Sequence, residues 1–153
     1  MNPWMKIAIN DALKGIHNND GGPFGAVIVK QGTLISAAHN EVLKTKDPSA
    51  HAEIVAIRKA TTQLNSPHLN DCDLYTTCEP CPMCWGSIYW ARLSTIYYGC
   101  THRDAEKLGF MDTHMHNVFN IQHPPTHRII QIEHKECLNV FKQWETMSNQ
   151  QLY

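Results

Sequence analysis

Residues 73–99 read DLYTTCEPCPMCWGSIYWARLSTIYYG, and this stretch decides the fold that the sequence predicts. Residues 73–77 and 95–99 carry the β-branched and aromatic side chains that favour strands. Residues 81–92, between them, have the length and apolar content of a helix. A strand, a helix and a second strand in succession favour a sheet that is covered by helices.

The chain on either side continues the alternation of helices and strands. Helices are predicted over about 3–18, from Asp47-Pro48 to about 64 and near 102–108, and a final helix reaches about 147. Further strands are predicted over 24–30, 34–39 and about 127–132, and a loop at Pro124-Pro125 precedes the last of them. The order predicts an α/β fold with helices on both faces of the sheet.

Length and composition predict one domain that covers residues 1–153. The 153 residues are 42% hydrophobic, which is enough for a core, and no repeat or linker divides them. The 13 basic and 14 acidic residues leave a formal charge of −1, which argues against nucleic acid and anionic membranes as partners. Without a long apolar run or a secretion signal, the sequence predicts a cytoplasmic protein and no membrane partner.

Three of the six cysteines, Cys78, Cys81 and Cys84, lie within seven residues. In a reducing compartment this crowding indicates metal ligation or redox chemistry before it indicates disulfide bonds. Cys81 and Cys84 are one helical turn apart, and a helix N-terminus favours the thiolate form that binds zinc.

His51 would complete a set of three protein ligands with Cys81 and Cys84. Three ligands leave the fourth tetrahedral position to water, which is the arrangement of catalytic zinc sites. Zinc can lower the pKa of such a water from ~15.7 to ~7. A neighbouring carboxylate, Glu53, could then take the proton of that water and pass it to a ring nitrogen.

Two other interpretations of the cysteines stay open at this point. Cys78 could be a fourth ligand, which would make the zinc site structural. Cys81 and Cys84 could instead form a thioredoxin-like redox pair, although that leaves the spacing of His51 and Glu53 unexplained.

Residues 51–53 (HAE) and 80–84 (PCPMC) match the H-x-E and P-C-x-x-C signature of zinc deaminases. With residues 21–26 (GGPFGA) and Asp47-Pro48, they make residues 4–110 resemble the cytidine deaminase-like superfamily. A narrower resemblance is to the small bacterial guanine deaminases. It is carried by residues 88–92 (IYWAR), Gly109-Phe110, Asp112, Phe141, Trp144 and Tyr153.

The resemblance implies a three-layer α/β/α fold with a central five-stranded mixed sheet. It also implies one zinc ion per chain, held by His51, Cys81 and Cys84, and a homodimer. In the guanine deaminases the C-terminal segment is exchanged between subunits, so the segment from about 134 to 153 is a candidate for exchange here.

The resemblance also implies roles for five further residues. Asn40 would hydrogen-bond the purine, and Phe24 and Trp90 would contact its ring. Asp112 would deliver a proton to the departing amino group, beside Glu53 as the principal acid and base. Tyr153 would cap the pocket from the neighbouring chain.

The function expected from these residues is hydrolysis of guanine to xanthine and ammonia. A tRNA adenosine deaminase shares the metal signature, as do deaminases of cytosine, cytidine or guanosine. A zinc-stabilised binding module without catalysis is the alternative from another class. No role is predicted for His114 and His116.

Overall fold

The computed structural model describes residues 1–120 and 127–153, and of Asp112 the backbone alone. The helices are α1 (Pro3–His17), α2 (Val42–Thr45), α3 (Ala52–Gln63), α4 (Pro82–Ala91), α5 (His102–Lys107), α6 (Asp112–Phe119) and α7 (His134–Glu145). The strands are β1 (Gly25–Lys30), β2 (Thr33–His39), β3 (Cys72–Cys78), β4 (Thr95–Cys100) and β5 (Arg128–Gln131).

These strands form one mixed sheet in the order β2-β1-β3-β4-β5. Strand β1 pairs antiparallel with both β2 and β3, whereas β3, β4 and β5 run parallel. The two parallel connections follow from helices that lie between the strands along the chain. The predicted five-stranded mixed sheet is therefore confirmed.

The core lies on both faces of this sheet. Along β1, Ala26 and Ile28 face a cluster that includes the buried sides of α3 and α4. Val27 and Val29 face the opposite cluster, which includes α1 and α7. Successive side chains of a strand point to opposite faces, so this alternation is what a sheet buried between two helical layers requires. The predicted three-layer α/β/α arrangement is confirmed.

Helix α3 begins later than its predicted start at Asp47-Pro48. The Asp47 carboxylate accepts hydrogen bonds from the backbone N–H of Ser49 at 2.8 Å and from its hydroxyl at 2.6 Å, which closes a turn. The backbone carbonyl of Asp47 also accepts from Ala50 N at 3.0 Å. His51 is consequently the extended N-cap residue of α3 rather than part of its first turn, where Glu53 lies.

The predicted strands are all present, with small shifts at their ends. Two short helices, α2 and α6, were not predicted. The loop predicted at Pro124-Pro125 lies outside the described residues. Among the helices that the structure describes, none combines the length and the apolar character that crossing a membrane demands.

Candidate active site

The three predicted zinc ligands come together where α3 and α4 begin. His51 and Cys81 are the N-cap residues of these helices, and Cys84 lies in the first turn of α4. His51 Nδ1 is 3.6 Å from Cys81 Sγ and 3.7 Å from Cys84 Sγ, and the two sulfur atoms are 3.6 Å apart. The three ligand atoms thus form a nearly equilateral triangle.

The triangle has the dimensions that zinc requires. Tetrahedral bonds to zinc of ~2.3 Å from sulfur and ~2.0 Å from nitrogen place neighbouring ligand atoms about 3.5 to 3.8 Å apart. All three measured separations fall in that range. Two thiol sulfurs and one imidazole nitrogen are also a donor set that zinc prefers. The residues present therefore fit a zinc ion.

Cys78 does not belong to this group. Its thiol donates to the carbonyl oxygen of Thr101 at 3.6 Å. Within the described parts of the chain, the potential ligands that lie within 4.8 Å of one another at this point are His51, Cys81 and Cys84. The arrangement is that of a three-ligand site, which disfavours a structural zinc with Cys78 as fourth ligand.

A second cluster of the same residue types, Cys100, Asp104 and His134, is occupied by hydrogen bonds within the protein. Asp104 Oδ2 accepts from the backbone N–H of Thr101 at 2.9 Å, from its hydroxyl at 2.8 Å, and from His134 Nε2 at 2.9 Å. The bond from Thr101 N and the bond that Asp104 N donates to the Thr101 hydroxyl at 3.2 Å form a capping box that begins α5, so the cluster has a structural explanation without a metal.

The two cysteine ligands have opposite electrostatic surroundings. Hydrogen bonding with Cys84, and next the His51 ring, hold the pKa of the Cys81 thiol well below its ordinary value against the effect of burial. Hydrogen bonding with Cys81, burial and the nearby Glu53 carboxylate raise the pKa of Cys84. One of the two sulfurs is thus readily present as a thiolate, the form that binds metal.

Glu53 points toward these ligands from the first turn of α3. Its Oε1 accepts a hydrogen bond from the hydroxyl of Thr76 at 3.1 Å, and its Oε2 lies 3.6 Å from Cys84 Sγ. The side chain is buried, and burial raises the pKa of its carboxyl, which the His51 charge opposes. A carboxyl group with a raised pKa beside a zinc site suits proton transfer near neutral pH. Sequence reasoning did not find Thr76.

A cavity of about 430 Å³ opens over His51, Glu53 and Cys81. That volume lies in the range of small-molecule pockets. Its other lining residues are mostly apolar or aromatic, and they are Phe24, Asn40, Pro48, Cys78, Glu79, Phe110, Met111, His114, Met115, Val118, Phe119 and Tyr153. The cavity can therefore admit a small molecule to the zinc site.

Asn40 lines this cavity with an oriented and fully buried amide. Its Oδ1 accepts from the backbone N–H of Val42 at 3.1 Å, which fixes the amide, and its Nδ2 has no hydrogen-bond partner within the described structure. Gly21 packs against the amide so closely that a Cβ there would stand 2.1 Å from Asn40 Oδ1. A buried donor without a partner costs free energy unless a ligand satisfies it, so Asn40 offers an N–H to a bound acceptor.

Two of the predicted aromatic contacts, Phe24 and Tyr153, also line the cavity. The Phe24 ring packs edge-on against Phe110 with ring centroids 5.0 Å apart, and Phe110 packs against Tyr153 at 5.5 Å. Phe24 contacts Phe141 of the core as well, at 5.6 Å. Phe24 therefore belongs both to the core and to the cavity wall, and Tyr153 reaches the cavity from its own chain.

Trp90 does not line this cavity in the single chain, and its predicted contact with the substrate ring stays a prediction. It is 77% exposed and lines a separate surface depression with Tyr89, Arg92 and other residues. The cause is the phase of α4: nine residues after Cys81 correspond to about two and a half helical turns, which places Trp90 on the opposite side.

The side chain of Asp112, the second predicted proton donor, lies outside the described part of the chain. Its backbone begins α6, the helix from which His114 and Met115 reach the cavity. The signal for α6 was present in the sequence, because the apolar residues Met115, Val118 and Phe119 recur at helical spacing. His114, to which no role was given, is thus a cavity residue.

Comparisons with known proteins agree with this geometry. The family model for the cytidine and deoxycytidylate deaminase zinc-binding region matches residues 2–100. A guanine deaminase of Bacillus subtilis (strain 168) is 44% identical over 98% of this chain and 97% of its own length. The X-ray structure of guanine deaminase from Bacillus subtilis superposes with a TM-score of 0.74 and 42% identity, covering 100% of this chain and 99% of the other.

A tRNA-specific adenosine deaminase of Aquifex aeolicus (strain VF5) is 38% identical over 82% of this chain and 80% of its own length. Residues 2–100, which the family model matches, include all three corners of the zinc triangle: His51 at the start of α3, and Cys81 and Cys84 at the start of α4. The chain therefore belongs to the cytidine and deoxycytidylate deaminase zinc-binding family, as the resemblance of residues 51–53 and 80–84 predicted.

Proposed function

We propose that this protein hydrolyses guanine to xanthine and ammonia, with zinc held by His51, Cys81 and Cys84. The observation that carries the proposal is the position of Glu53. Its carboxylate lies next to the zinc triangle and lines the same cavity as the unsatisfied amide of Asn40. An acid and base group, a metal site and a recognition group thus share one pocket.

Zinc, when bound, supplies Lewis acidity that lowers the pKa of a water molecule to about 7. Glu53 takes a proton from this attacking water as the oxygen bonds to the amino-bearing ring carbon, and passes that proton to the adjacent ring nitrogen. Glu53 then moves the remaining hydroxyl proton to the amino group, with Asp112 as a second proposed donor. The carbon–nitrogen bond breaks, ammonia leaves, and the carbonyl of xanthine remains.

Guanine fits the recognition groups of the cavity. One edge of guanine presents two acceptors, O6 and N7, whereas the same edge of adenine presents the N7 acceptor and an amino donor. Asn40 can offer an N–H because its oxygen is already committed to Val42. Phe24 and Tyr153 supply apolar and aromatic walls for the flat ring. The similarity to the Bacillus guanine deaminase over nearly the whole chain points to the same base.

The second candidate is deamination of adenosine in tRNA, which the likeness to the Aquifex enzyme favours. Such an enzyme must hold a polynucleotide while the target base is flipped out. A formal charge of −1 on this chain gives that task little electrostatic support. Cytosine, cytidine and guanosine are further candidates, since they undergo the same zinc chemistry.

The test is a panel of free bases, nucleosides and tRNA with the metal-analysed protein. We expect ammonia release from guanine, and none comparable from guanosine, adenine, cytosine or cytidine. Inosine formed in tRNA, with binding that weakens steeply as salt rises, would contradict the guanine assignment. A protein that binds zinc but releases ammonia from no substrate would instead be a zinc-stabilised binding module.

The proposal extends to the organisation of the protein. We expect one zinc per chain, residues 1–153 acting as one domain, a cytoplasmic homodimer, and exchange of the segment from about 134 to 153 between subunits.

If the tail is exchanged, a mixed dimer of an E53Q chain and a Y153A chain will recover activity, because one cavity then combines an intact Glu53 with an intact Tyr153. If the tail closes its own cavity, the mixture will stay inactive.

A further inference from the structure

The last residue of β2, His39, is buried between two carboxylates. Its Nε2 is 2.8 Å from Asp20 Oδ2, and its Nδ1 is 3.3 Å from Asp11 Oδ2. The ring lies against Gly15 of α1, where a Cβ would stand 2.7 Å from its Cδ2 atom. Because both ring nitrogens face carboxylate oxygens, both must donate, which is the hydrogen bonding of the protonated imidazolium.

The charges around this ring agree with protonation. Hydrogen bonding to Asp11, and then to Asp20, raises the pKa of His39, although burial opposes the shift. The charged groups around the His39 ring come from α1, from the loop after α1, from α2 and its N-cap residue, and from α3. They are the partners Asp11 and Asp20 themselves, and around them Lys14, Glu41, Lys44 and Lys59.

His39 joins two segments that form one wall of the cavity. Asp20 immediately precedes Gly21, which packs on the Asn40 amide, and Asn40 immediately follows His39. The loop is tied to the same segment by backbone bonds from Lys44 N to Asp20 O at 2.9 Å and from Asn40 N to the Phe24 carbonyl at 3.0 Å. His39 itself does not line the cavity.

We propose that His39 is a positioning residue for base recognition: bridged to Asp11 and Asp20, it clamps the loop of residues 18–24 onto the end of β2 and so sets the position of the Asn40 amide. The inference rests on the proposed function, because it concerns binding of the same base. The zinc ligands and Glu53 lie on α3 and α4, outside the clamp. Loss of His39 therefore weakens base binding and leaves the chemical step intact.

The first experiment compares H39Q with the matched control H17Q, which alters an exposed histidine of α1. We expect H39Q to raise KM for guanine about tenfold, because charge-assisted hydrogen bonds to the loop are lost. We expect kcat within about twofold of wild type and unchanged zinc content, since no group of the chemical step is touched. D20N is the second variant, in case H39Q does not fold, and it should raise KM in the same way.

The pH dependence of KM distinguishes positioning from a general structural role. The clamp needs the protonated ring, so KM of the wild-type protein should rise as pH increases through the raised pKa of His39. D11N removes the largest cause of that raised pKa and should move the rise in KM to lower pH. H39Q should lack the rise, and H17Q should retain it.

Hydrogen exchange tests the clamp without turnover. In H39Q, the amides of Asn40 and Lys44 should exchange faster, and the amide of Val55 at the start of α3 should be unchanged. An unaltered KM in H39Q would overturn the inference about His39 and leave the proposed function standing. A KM effect accompanied by comparable losses of kcat, zinc content and global stability would do the same. If wild-type protein releases no ammonia from guanine, the proposed function fails, and the exchange comparison then decides whether His39 holds the loop.

Discussion

The hydroxyl of Thr76 lies 3.1 Å from Oε1 of Glu53 and ties the carboxylate on α3 to the central strand β3. Thr76 is almost completely buried, as Glu53 is. A buried carboxylate that accepts a hydrogen bond from a rigid strand has little freedom to rotate. Its second oxygen is thereby kept 3.6 Å from Cys84 Sγ, on the side of the zinc triangle.

Replacing Thr76 by Val tests this support, because the two side chains have nearly the same shape. T76V leaves the Glu53 oxygen without its donor, and we expect kcat for guanine to fall about tenfold. T76S keeps the hydroxyl and should retain most of the activity. Steady-state kinetics give kcat for both variants, and unfolding curves show whether either has lost stability. Equal kcat values for T76V and T76S would show that the hydroxyl does not orient Glu53.

The substitution E53Q removes the proton carrier and keeps its size. We expect zinc to remain bound, since Glu53 is not one of its ligands, while turnover falls by about 10² to 10⁴. Metal analysis and ammonia release measure the two effects separately. E145Q, at an exposed glutamate of α7, is the matched control. Undiminished turnover in E53Q would defeat the assignment of Glu53 as acid and base.

Cys81 and Cys78 should respond differently to substitution, although they are three residues apart. C81A removes a corner of the zinc triangle, so we expect loss of zinc and activity and a lower melting temperature, because zinc joins α3 to α4. C78A loses a thiol hydrogen bond to the Thr101 carbonyl but no corner of the zinc triangle, and it should keep its zinc. Zinc analysis after chelator treatment and calorimetry provide the readouts. Loss of zinc from C78A would point to a four-ligand structural site.

The zinc triangle was predictable because its signal is local. Cys81 and Cys84 lie one helical turn apart, and residues 51–53 keep a fixed spacing at the start of another helix. The run of β-branched residues at 27–29 likewise predicted strand β1. Such patterns depend on the geometry of one element, which the order of the residues specifies.

Contacts between distant elements were not predictable in this way. Thr76 meets Glu53 because β1 packs beside β3 and α3 crosses them, and nothing near either residue in the sequence signals the pairing. The turn made by Asp47 competed with its role as a helix cap and moved the start of α3 to Ala52. Trp90 was assigned by resemblance alone, and the phase of α4 points it away from the cavity.

We expect the Asp104 carboxylate to make the free energy of unfolding fall in acid. The pKa of this carboxyl is held below its ordinary value: burial opposes the shift, but hydrogen bonds from Thr101 and His134 outweigh it. A carboxyl with a lowered folded-state pKa contributes stability above its unfolded pKa of about 3.9, and that contribution is lost as pH falls through the folded value.

We therefore expect D104N to be less stable than the wild-type protein at neutral pH and to lose less of its stability below about pH 4. Urea unfolding from pH 2 to pH 7 measures the difference. E106Q alters an exposed residue of the same helix and should follow the wild-type curve. Parallel curves for D104N and wild type would mean that the capping carboxylate does not govern acid stability.

Replacing Gly21 by Ala should weaken base recognition and leave the zinc site unchanged. The Cβ of an alanine there would stand 2.1 Å from Asn40 Oδ1 and 2.6 Å from the Asn40 carbonyl oxygen, so Asn40 must move. We expect G21A to raise KM for guanine about tenfold or more, the effect of losing one buried hydrogen bond, with zinc content unchanged. G86A is the matched control, because a Cβ at Gly86 meets nothing within 4 Å and alanine favours the helix. A KM in G21A equal to that of G86A would show that Asn40 does not bind the base.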